Sequence, residues 1–349
     1  MTRRCRDDVE TKNENNDDDA SSLPVSALSP RCFAGPSSGP VVARSRTRVP
    51  TSRRSRARAA SASASGGDGG APSGTTSFGY QEVKAEEKEG LVAEVFERVA
   101  PSYDLMNDLM SGGIHRVWKD YLVSKVGVFP GMTHLDVAGG TGDVAFRVLR
   151  ALRAEEAAAR RAGGGDAPRA GAEGVGEVIV SDINPAMLSE GQKRAAKQGL
   201  TREADVRGNP LARLRFVEGN AERLPFEDAS VDCYTIAFGL RNVTDVAAAL
   251  RDAHRLLKPG GRFMCLEFSH VKAEPLRSIY EMYSFNVIPA LGEAVARDRA
   301  SYQYLVESIR KFPKQEELAA SMIDAGFASV THENLTGGVV AIHSGFKAA

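Results

Sequence analysis

The stretch that most limits how this chain can fold is residues 134–144, His-Leu-Asp-Val-Ala-Gly-Gly-Thr-Gly-Asp-Val. Its first residues predict a strand, and the glycines predict a sharp turn that leads into a helix. Gly139, Gly140 and Gly142 omit side chains where the backbone must bend and approach a ligand. The helix directs its N-terminal N–H groups toward the same place. The pattern predicts an α/β sheet with a nucleotide-type cofactor at this turn; an ordinary βα turn is the alternative.

The turn alone does not identify the cofactor, because residues 140–145 also match the G-x-G-x-x-G/A fingerprint of dinucleotide sites. An acid at the end of the second strand binds ribose hydroxyls in both kinds of site, and Asp182 has this position. It follows Gly142 by 40 residues, about twice the dinucleotide spacing. Residues 154–176 account for the difference as an Ala/Arg/Gly-rich surface insertion. The alternative role for Asp182 is the N-cap of a helix over 185–198.

The third strand favours S-adenosylmethionine (SAM) over a dinucleotide. Strand 214–218 is followed by Asn220 and Ala221, and then by an apolar Leu-Pro-Phe corner at 224–226. A polar residue beside an apolar corner suits the edge and the faces of an adenine. We therefore expect the adenine end of the cofactor to lie here.

The rest of the predicted sheet agrees with that interpretation. A fourth strand, 231–238, ends in the loop 239–245, where open α/β sheets bind ligands. Strands over 328–335 and 339–344 predict a terminal antiparallel hairpin, which a two-half dinucleotide domain would not have. A nicotinamide-dependent oxidoreductase stays the alternative, and binding of SAM rather than NAD would exclude it.

Two segments predict a cover over the site. Residues 82–99 have the apolar periodicity of an amphipathic helix, which Pro101 should end, leaving Tyr103 near the turn. Residues 275–296 are unusually apolar. The first segment is interpreted as a lid with polar substrate contacts and the second as a wall for a lipophilic substrate. The alternative is that both segments only pack against the core.

The N-terminal region differs from the rest of the chain. Residues 1–77 carry almost no large apolar side chains, so they cannot build a core. Between Ala20 and Gly67 there are eight arginines and no acids, a composition typical of an organellar transit peptide, although the acidic run from Asp7 to Asp19 is not. We expect a disordered transit region followed by one domain over 78–349; a basic linker is the alternative.

Composition excludes several classes of function. Beyond Tyr80 there are 37 acidic and 33 basic residues, so the domain lacks the basic surface of a nucleic-acid-binding protein. The four cysteines have no metal-type spacing, and no metal site is expected. No apolar run of 18 residues exists, so a lipid would have to be reached from the membrane surface.

Several long motifs together resemble the class I SAM-dependent methyltransferases, and more closely the family that C-methylates quinols in ubiquinone and menaquinone biosynthesis. The motifs are at 103–107, 135–143, 220–222, 224–226, 238–244, 257–261 and 266–269. The resemblance covers 91–347. It implies a Rossmann-like, seven-stranded, mostly parallel sheet with a C-terminal antiparallel hairpin and an N-terminal helical lid.

The resemblance also implies roles for individual residues. The SAM-binding positions are Gly140, Thr141, Gly142, Asp182, Asn220 and Ala221. A serine contact of some bacterial members is replaced here by Ala237, which puts one hydrogen bond in doubt. Arg241 is the candidate catalytic residue, either stabilising a phenolate or polarising a water, with a structural salt bridge as its alternative role. Tyr103, Asn242 and Tyr283 are the candidates for binding the ring.

Within that family, the stretches 283–289, 302–310 and 341–347 resemble the mitochondrial members that act in ubiquinone biosynthesis. This likeness implies a polyprenyl methoxy-benzoquinol substrate and a peripheral location on the matrix face of the inner membrane. It also implies other ubiquinone-biosynthesis proteins as partners in a complex, and a homodimer. Methylation of a demethylnaphthoquinol, or a scaffold role in the complex, is the alternative function.

Overall fold

The computed structural model describes residues 74–99, 103–162 and 174–349, without the side chains of Tyr103 and Asp104. Nearly all of the predicted transit region, 1–77, lies outside the described residues, as does the centre of the predicted insertion at 154–176. Both therefore stay predictions.

The described chain begins with a two-stranded antiparallel hairpin that packs on the first helix. Strand β1 is Thr75–Phe78 and strand β2 is Gln81–Lys84. Helix α1 then covers Ala85–Val99. The helix predicted over 82–99 is therefore wrong in its first residues, which pair as a strand instead.

Seven further strands form one sheet. They are β3 Thr133–Val137, β4 Glu177–Asp182, β5 Arg213–Glu218, β6 Val231–Ala237, β7 Leu257–Phe268, β8 Phe327–Leu335 and β9 Val340–Lys347. Their order is β5-β4-β3-β6-β7-β9-β8, and within this sheet only β9 runs antiparallel to its neighbours. The mostly parallel seven-stranded sheet with a terminal antiparallel hairpin is confirmed.

The other helices follow in chain order. They are α2 Tyr103–Ser111, α3 Ile114–Val126, α4 Asp143–Ala162, α5 Pro185–Lys197, α6 Val246–Leu256, α7 Leu276–Met282, α8 Ile288–Leu291, α9 Arg299–Lys311 and α10 Gln315–Asp324. Two π-helical turns, Tyr283–Val287 and Gly292–Ala296, extend α7 and α8 into one nearly continuous helical stretch. Among the helices described, none is long and apolar enough to cross a membrane.

Strand β3 is buried on both faces of the sheet, as expected for a parallel strand between helices. His134 and Asp136 face one side, and Leu135 and Val137 face the other; all four are almost fully buried. The first side is covered by a cluster that includes residues of α3, α4 and α5, and the second by a cluster from α6 and α10. Two polar side chains thus lie inside the core directly before the glycine turn.

The chain order reverses at β3. From β3 the chain adds β4 and β5 on one side, and then returns to place β6 and β7 on the other. Ligands of open α/β sheets bind at the carboxyl ends of the strands at such a switch point. The fold therefore predicts its site beyond Val137 and Ala237.

Helices α1, α2, α8 and α9 pack together beyond that edge, around small apolar clusters that include Val95, Val99, Met106 and Ile288. The hairpin is fixed to α9, because Phe78 stacks on Tyr304 with ring centroids 4.2 Å apart. This assembly is the helical lid that the sequence predicts.

Candidate active site

The glycine turn after β3 forms the floor of a cleft. A side chain on Gly139 would place its Cβ 2.8 Å from Val180 Cγ1, and Gly140 has a positive φ of 51°. Both positions therefore favour glycine. The Gly140 N–H donates a hydrogen bond of 2.8 Å to Asp182 Oδ2, so the turn is tied to the end of β4.

Asp182 is held in place by backbone donors. Its Oδ1 accepts a hydrogen bond of 2.9 Å from the Asn184 N–H, and burial raises the pKa of its carboxyl group. The N-cap of α5 is Asn184, whose side chain accepts from Ala186 and Met187. The alternative role of Asp182 as a helix cap is therefore wrong, and its carboxylate lies in the wall of the cleft.

The other predicted cofactor residues lie around the same cleft. Thr141 is almost buried, and its hydroxyl accepts a hydrogen bond of 2.6 Å from Arg194 Nη1. Asn220 donates to Glu89 of α1 at 3.3 Å, so the lid contacts the residues after β5 at this side of the cleft. Gly140, Ala221 and Ala237 also line the cleft. Gly142 is not in its wall but turns the backbone there, with a φ of 83°.

The cleft is acidic. Among its described lining residues there are five acidic side chains, of which Asp136 is buried with its pKa raised to about 7, and Lys119 is the single cation, already bonded to Asp143. A pyrophosphate would meet uncompensated negative charge here. A sulfonium and an ammonium group would be attracted, so the residues present fit SAM and not a dinucleotide.

A second cavity adjoins the cleft. The two share Phe96, Lys119 and Phe238 in their walls, and we call the second one the apolar chamber. Much of its wall is aromatic: Trp118, Phe268, Tyr280, Tyr283, Tyr302 and Tyr304. The lining of the chamber suits an aromatic ring with an apolar substituent, beside a cofactor in the cleft.

Arg241 lies in the chamber wall on the short helix Leu240–Asn242 after β6. Its Nη1 is 3.0 Å from Glu267 Oε1, and both side chains are nearly buried. The same nitrogen donates to the carbonyl oxygen of Phe238, while Nε is buried with no partner among the described residues. Arg241 therefore has the predicted salt bridge and also presents its guanidinium to the chamber.

The structure places the three ring-binding candidates differently. Tyr283 lines the chamber, and its hydroxyl donates to the Met110 carbonyl oxygen at 3.0 Å. Asn242 lies in the cleft, where its Oδ1 accepts a hydrogen bond of 3.0 Å from the Tyr304 hydroxyl. The side chain of Tyr103 lies outside the described part of the chain, so its role stays a prediction.

The structure adds residues that the sequence analysis assigned no role. Lys119 lies where the two cavities meet, and His115, one helical turn before it, lines the chamber. Tyr304 comes from α9, far along the chain, and burial raises its pKa to about 12. The spacing of His115 and Lys119 placed them on one helix face. Nothing local in the sequence, however, showed which face would be covered by α9.

Comparisons with known proteins identify the family of this chain. The model of the ubiE/COQ5 methyltransferase family matches residues 82–347. Two relatives named mitochondrial 2-methoxy-6-polyprenyl-1,4-benzoquinol methylase are from Oryza sativa and Homo sapiens. The rice protein is 55% identical over 79% of this chain and 89% of its own length, and the human protein 52% over 78% and 84%.

A bacterial relative is named as a biosynthetic enzyme of two quinones. It is the ubiquinone/menaquinone biosynthesis C-methyltransferase of Brucella abortus, 50% identical over 78% of this chain and 90% of its own length. The family match spans the glycine turn, the acidic cleft and the apolar chamber. The chain therefore belongs to the ubiE/COQ5 methyltransferase family.

Proposed function

We propose that this chain transfers the methyl group of SAM to a ring carbon of a polyprenyl methoxy-benzoquinol, a step of ubiquinone biosynthesis. The observation that carries the proposal is the wall of Phe96, Lys119 and Phe238, which the acidic cleft and the apolar chamber share. A ring in the chamber would have a carbon next to a methyl donor in the cleft. The names of the rice and human relatives support this choice of substrate.

The cleft residues would hold SAM, which would supply an electrophilic methyl group. Asp182 would accept hydrogen bonds from the ribose hydroxyls, and the turn at Gly140 and Thr141 would receive the amino acid portion. Asn220 and Ala221 would border the adenine. The acidic wall favours the positive charge of the cofactor over its neutral product, which also promotes product release.

The chamber residues position and activate the quinol. A hydroxyl next to the reacting carbon pushes electron density onto it, most strongly as an oxyanion, and the positive charge of Arg241 stabilises that oxyanion. Tyr283 in the chamber wall and Asn242 in the adjoining cleft orient the ring, together with Tyr103. Holding the ring in line with the methyl group contributes about 7–11 kcal/mol to lowering the barrier.

The same proposal includes a location and partners. The mitochondrial names of the rice and human relatives support a mitochondrial protein, and we propose that it works on the matrix face of the inner membrane. Exposed apolar side chains at Leu105, Leu109, Ile279 and Met282 support peripheral contact with a lipid surface or a partner. A homodimer and a complex with other ubiquinone-biosynthesis proteins belong to this proposal.

The acceptor is tested with the full chain, methyl-labelled SAM and two reduced quinols with short tails, a methoxy-benzoquinol and a demethylnaphthoquinol. Label on the benzoquinol alone is expected. Label on the naphthoquinol alone would favour the alternative acceptor. Label on neither, with SAM still bound, would favour the scaffold role.

A further inference from the structure

We infer that His115 is the general base of the methyl transfer, taking the proton of the quinol hydroxyl next to the reacting carbon, and that Asp108 positions it. The inference rests on the proposed function. It names the proton acceptor that Arg241 cannot be, because a guanidinium stays protonated in proteins.

The two side chains form a carboxylate–imidazole pair. His115 Nε2 lies 2.9 Å from Asp108 Oδ1, and Arg116 binds both oxygens of the same carboxylate, each at 2.7 Å. These contacts hold the pKa of Asp108 well below its usual range, so it is a carboxylate and accepts the Nε2–H. Nδ1 then carries the lone pair of the neutral ring.

The contacts of this pair leave Nδ1 for a substrate. His115 lines the chamber, whereas Asp108, which occupies the Nε2 side of the ring, is not part of the chamber wall. Nδ1 makes no hydrogen bond to any residue that the structure describes. A carboxylate that fixes the tautomer while the other nitrogen stays open is the arrangement of a general base.

Other side chains in the chamber do not compete for this role. Its described wall contains one histidine and no Asp or Glu. Lys119 is bonded to Asp143, and burial raises the pKa values of Tyr280, Tyr283 and Tyr304, which keeps these phenols protonated. His115 is the one group on this wall that is both basic and uncharged near neutral pH.

The position of His115 fits the reacting hydroxyl. It precedes Lys119 by four residues on α3, so the two are on one helix face about 6 Å apart along the axis. Lys119 marks the boundary with the cofactor cleft. A ring whose reacting carbon is at that boundary has its neighbouring oxygen farther inside the chamber, on the side of His115.

The charges around His115 keep it in the base form. Burial is the largest effect and lowers its pKa from 6.5, and Lys119 on α3 acts in the same direction. Asp108 on α2 and Asp143 on α4 oppose this lowering without reversing it.

Protons and electrons balance in the proposed methyl transfer. The O–H bond breaks, its proton bonds to Nδ1, and the electron pair stays on oxygen. The ring carbon bonds to the methyl carbon as the methyl–sulfur pair goes to sulfur. The oxygen regains its proton from Nδ1 while the ring carbon loses its hydrogen to water as a proton, so no oxidant or reductant is needed.

The test compares the full chain with His115→Gln, Asp108→Asn and a matched control, His332→Gln, which changes an exposed histidine on β8. His115→Gln should lower kcat for the methoxy-benzoquinol by about 10²–10⁴-fold with an unchanged Kd for SAM. It should also remove the acidic limb of the kcat–pH profile. Asp108→Asn should move that limb to lower pH, because the hydrogen bond that raises the pKa of His115 is weakened. If Asp108 had only a structural role, Asp108→Asn would not shift the kcat–pH profile.

The outcomes separate the two proposals. If His115→Gln keeps kcat within about threefold of the control, the base role is wrong while the proposed function stands. If the unsubstituted chain methylates neither quinol, the proposed function fails and the base role fails with it. If His115→Gln does not fold, imidazole titration by NMR in the unsubstituted chain decides: methylated quinol should shift the titration of His115, and no shift contradicts the inference.

Discussion

Lys119 Nζ lies 2.8 Å from Asp143 Oδ2 at the wall that the cofactor cleft shares with the apolar chamber. Asp143 opens α4 directly after the glycine turn, and Arg147 binds it from the next helical turn. The pair therefore connects α3, which carries His115, to the helix that follows the glycine turn. It also neutralises the single cation of an otherwise acidic cleft.

Replacing Lys119 by Met should remove this connection. We expect the free energy of unfolding to fall by about 1–3 kcal/mol, because a partly buried charged hydrogen bond is lost. Chemical denaturation at pH 7 measures it. Lys272→Met, which breaks an exposed pair with Glu316, is the matched control and should cost less than about 1 kcal/mol. Equal losses in the two variants would contradict the role given to Lys119.

The two roles of Arg241 can be separated through its partner. Arg241→Met leaves the buried Glu267 carboxylate unpaired and should lower the free energy of unfolding by about 3–5 kcal/mol. Adding Glu267→Gln removes that charge while keeping an amide oxygen for the Phe268 N–H, so much of the stability should return.

Methyl transfer by that double variant is the informative measurement. If Arg241 stabilises an oxyanion, the restored fold should still be strongly impaired in kcat. Recovery of activity along with stability would instead make the salt bridge the whole role of Arg241.

Much of the cofactor site could be predicted from the sequence because it is local. The glycine turn, Asp182 and Asn220 each follow a strand, and parallel strands bring their carboxyl ends to one edge. Of the apolar chamber, the sequence predicts only the segment 275–296 as a wall, and the rest could not be predicted in this way. Its wall combines His115, Tyr283 and Tyr304 from helices far apart in the chain, whose packing no periodicity specifies.

The apolar periodicity at the start of the domain predicts a helix where the structure has a strand. Glu82 and Val83 fit the apolar periodicity of the following helix, yet they pair with Ser77 and Thr76 in the first hairpin. The strand is favoured there because its partner lies only a few residues away and the hairpin packs on α9. That tertiary contact is absent from any helical pattern.

The buried pair on β3 predicts opposing effects of pH on stability. His134 donates to the Thr235 hydroxyl at 3.0 Å, and that hydroxyl donates to Asp136 Oδ1 at 2.7 Å. Burial lowers the pKa of His134 to about 3 and raises that of Asp136 to about 7. Between about pH 4 and 6.5 the unfolded chain binds more protons at His134 and fewer at Asp136, so the two effects on stability largely cancel.

Replacing either side chain should make the effect of the other on the pH dependence of stability measurable. Asp136→Asn should make the free energy of unfolding rise with pH more steeply, by up to about 1.4 kcal/mol per pH unit. His134→Gln should make it rise less steeply, or fall. Urea denaturation at pH 4.5, 5.5 and 6.5 measures both slopes, and parallel curves for the three proteins would contradict this account.

Asp182 should determine affinity for SAM. Asp182→Asn replaces a carboxylate that accepts from ribose with an amide that also donates, and should weaken binding by about 10–100-fold. Calorimetric titration with SAM measures the Kd. Asp324→Asn, exposed at the end of α10, is the control and should bind normally. An unchanged Kd in Asp182→Asn would remove it from the cofactor site.

The most direct test of the account is the atom that receives the methyl group. The full chain is incubated with ¹³C-methyl SAM and the reduced short-tailed methoxy-benzoquinol, and the product is examined by carbon NMR. We predict a labelled methyl bonded to a ring carbon, because the chamber proposed for the ring shares a wall with the cleft. A labelled methyl on a ring oxygen, or no labelled quinol while SAM is bound, would contradict it.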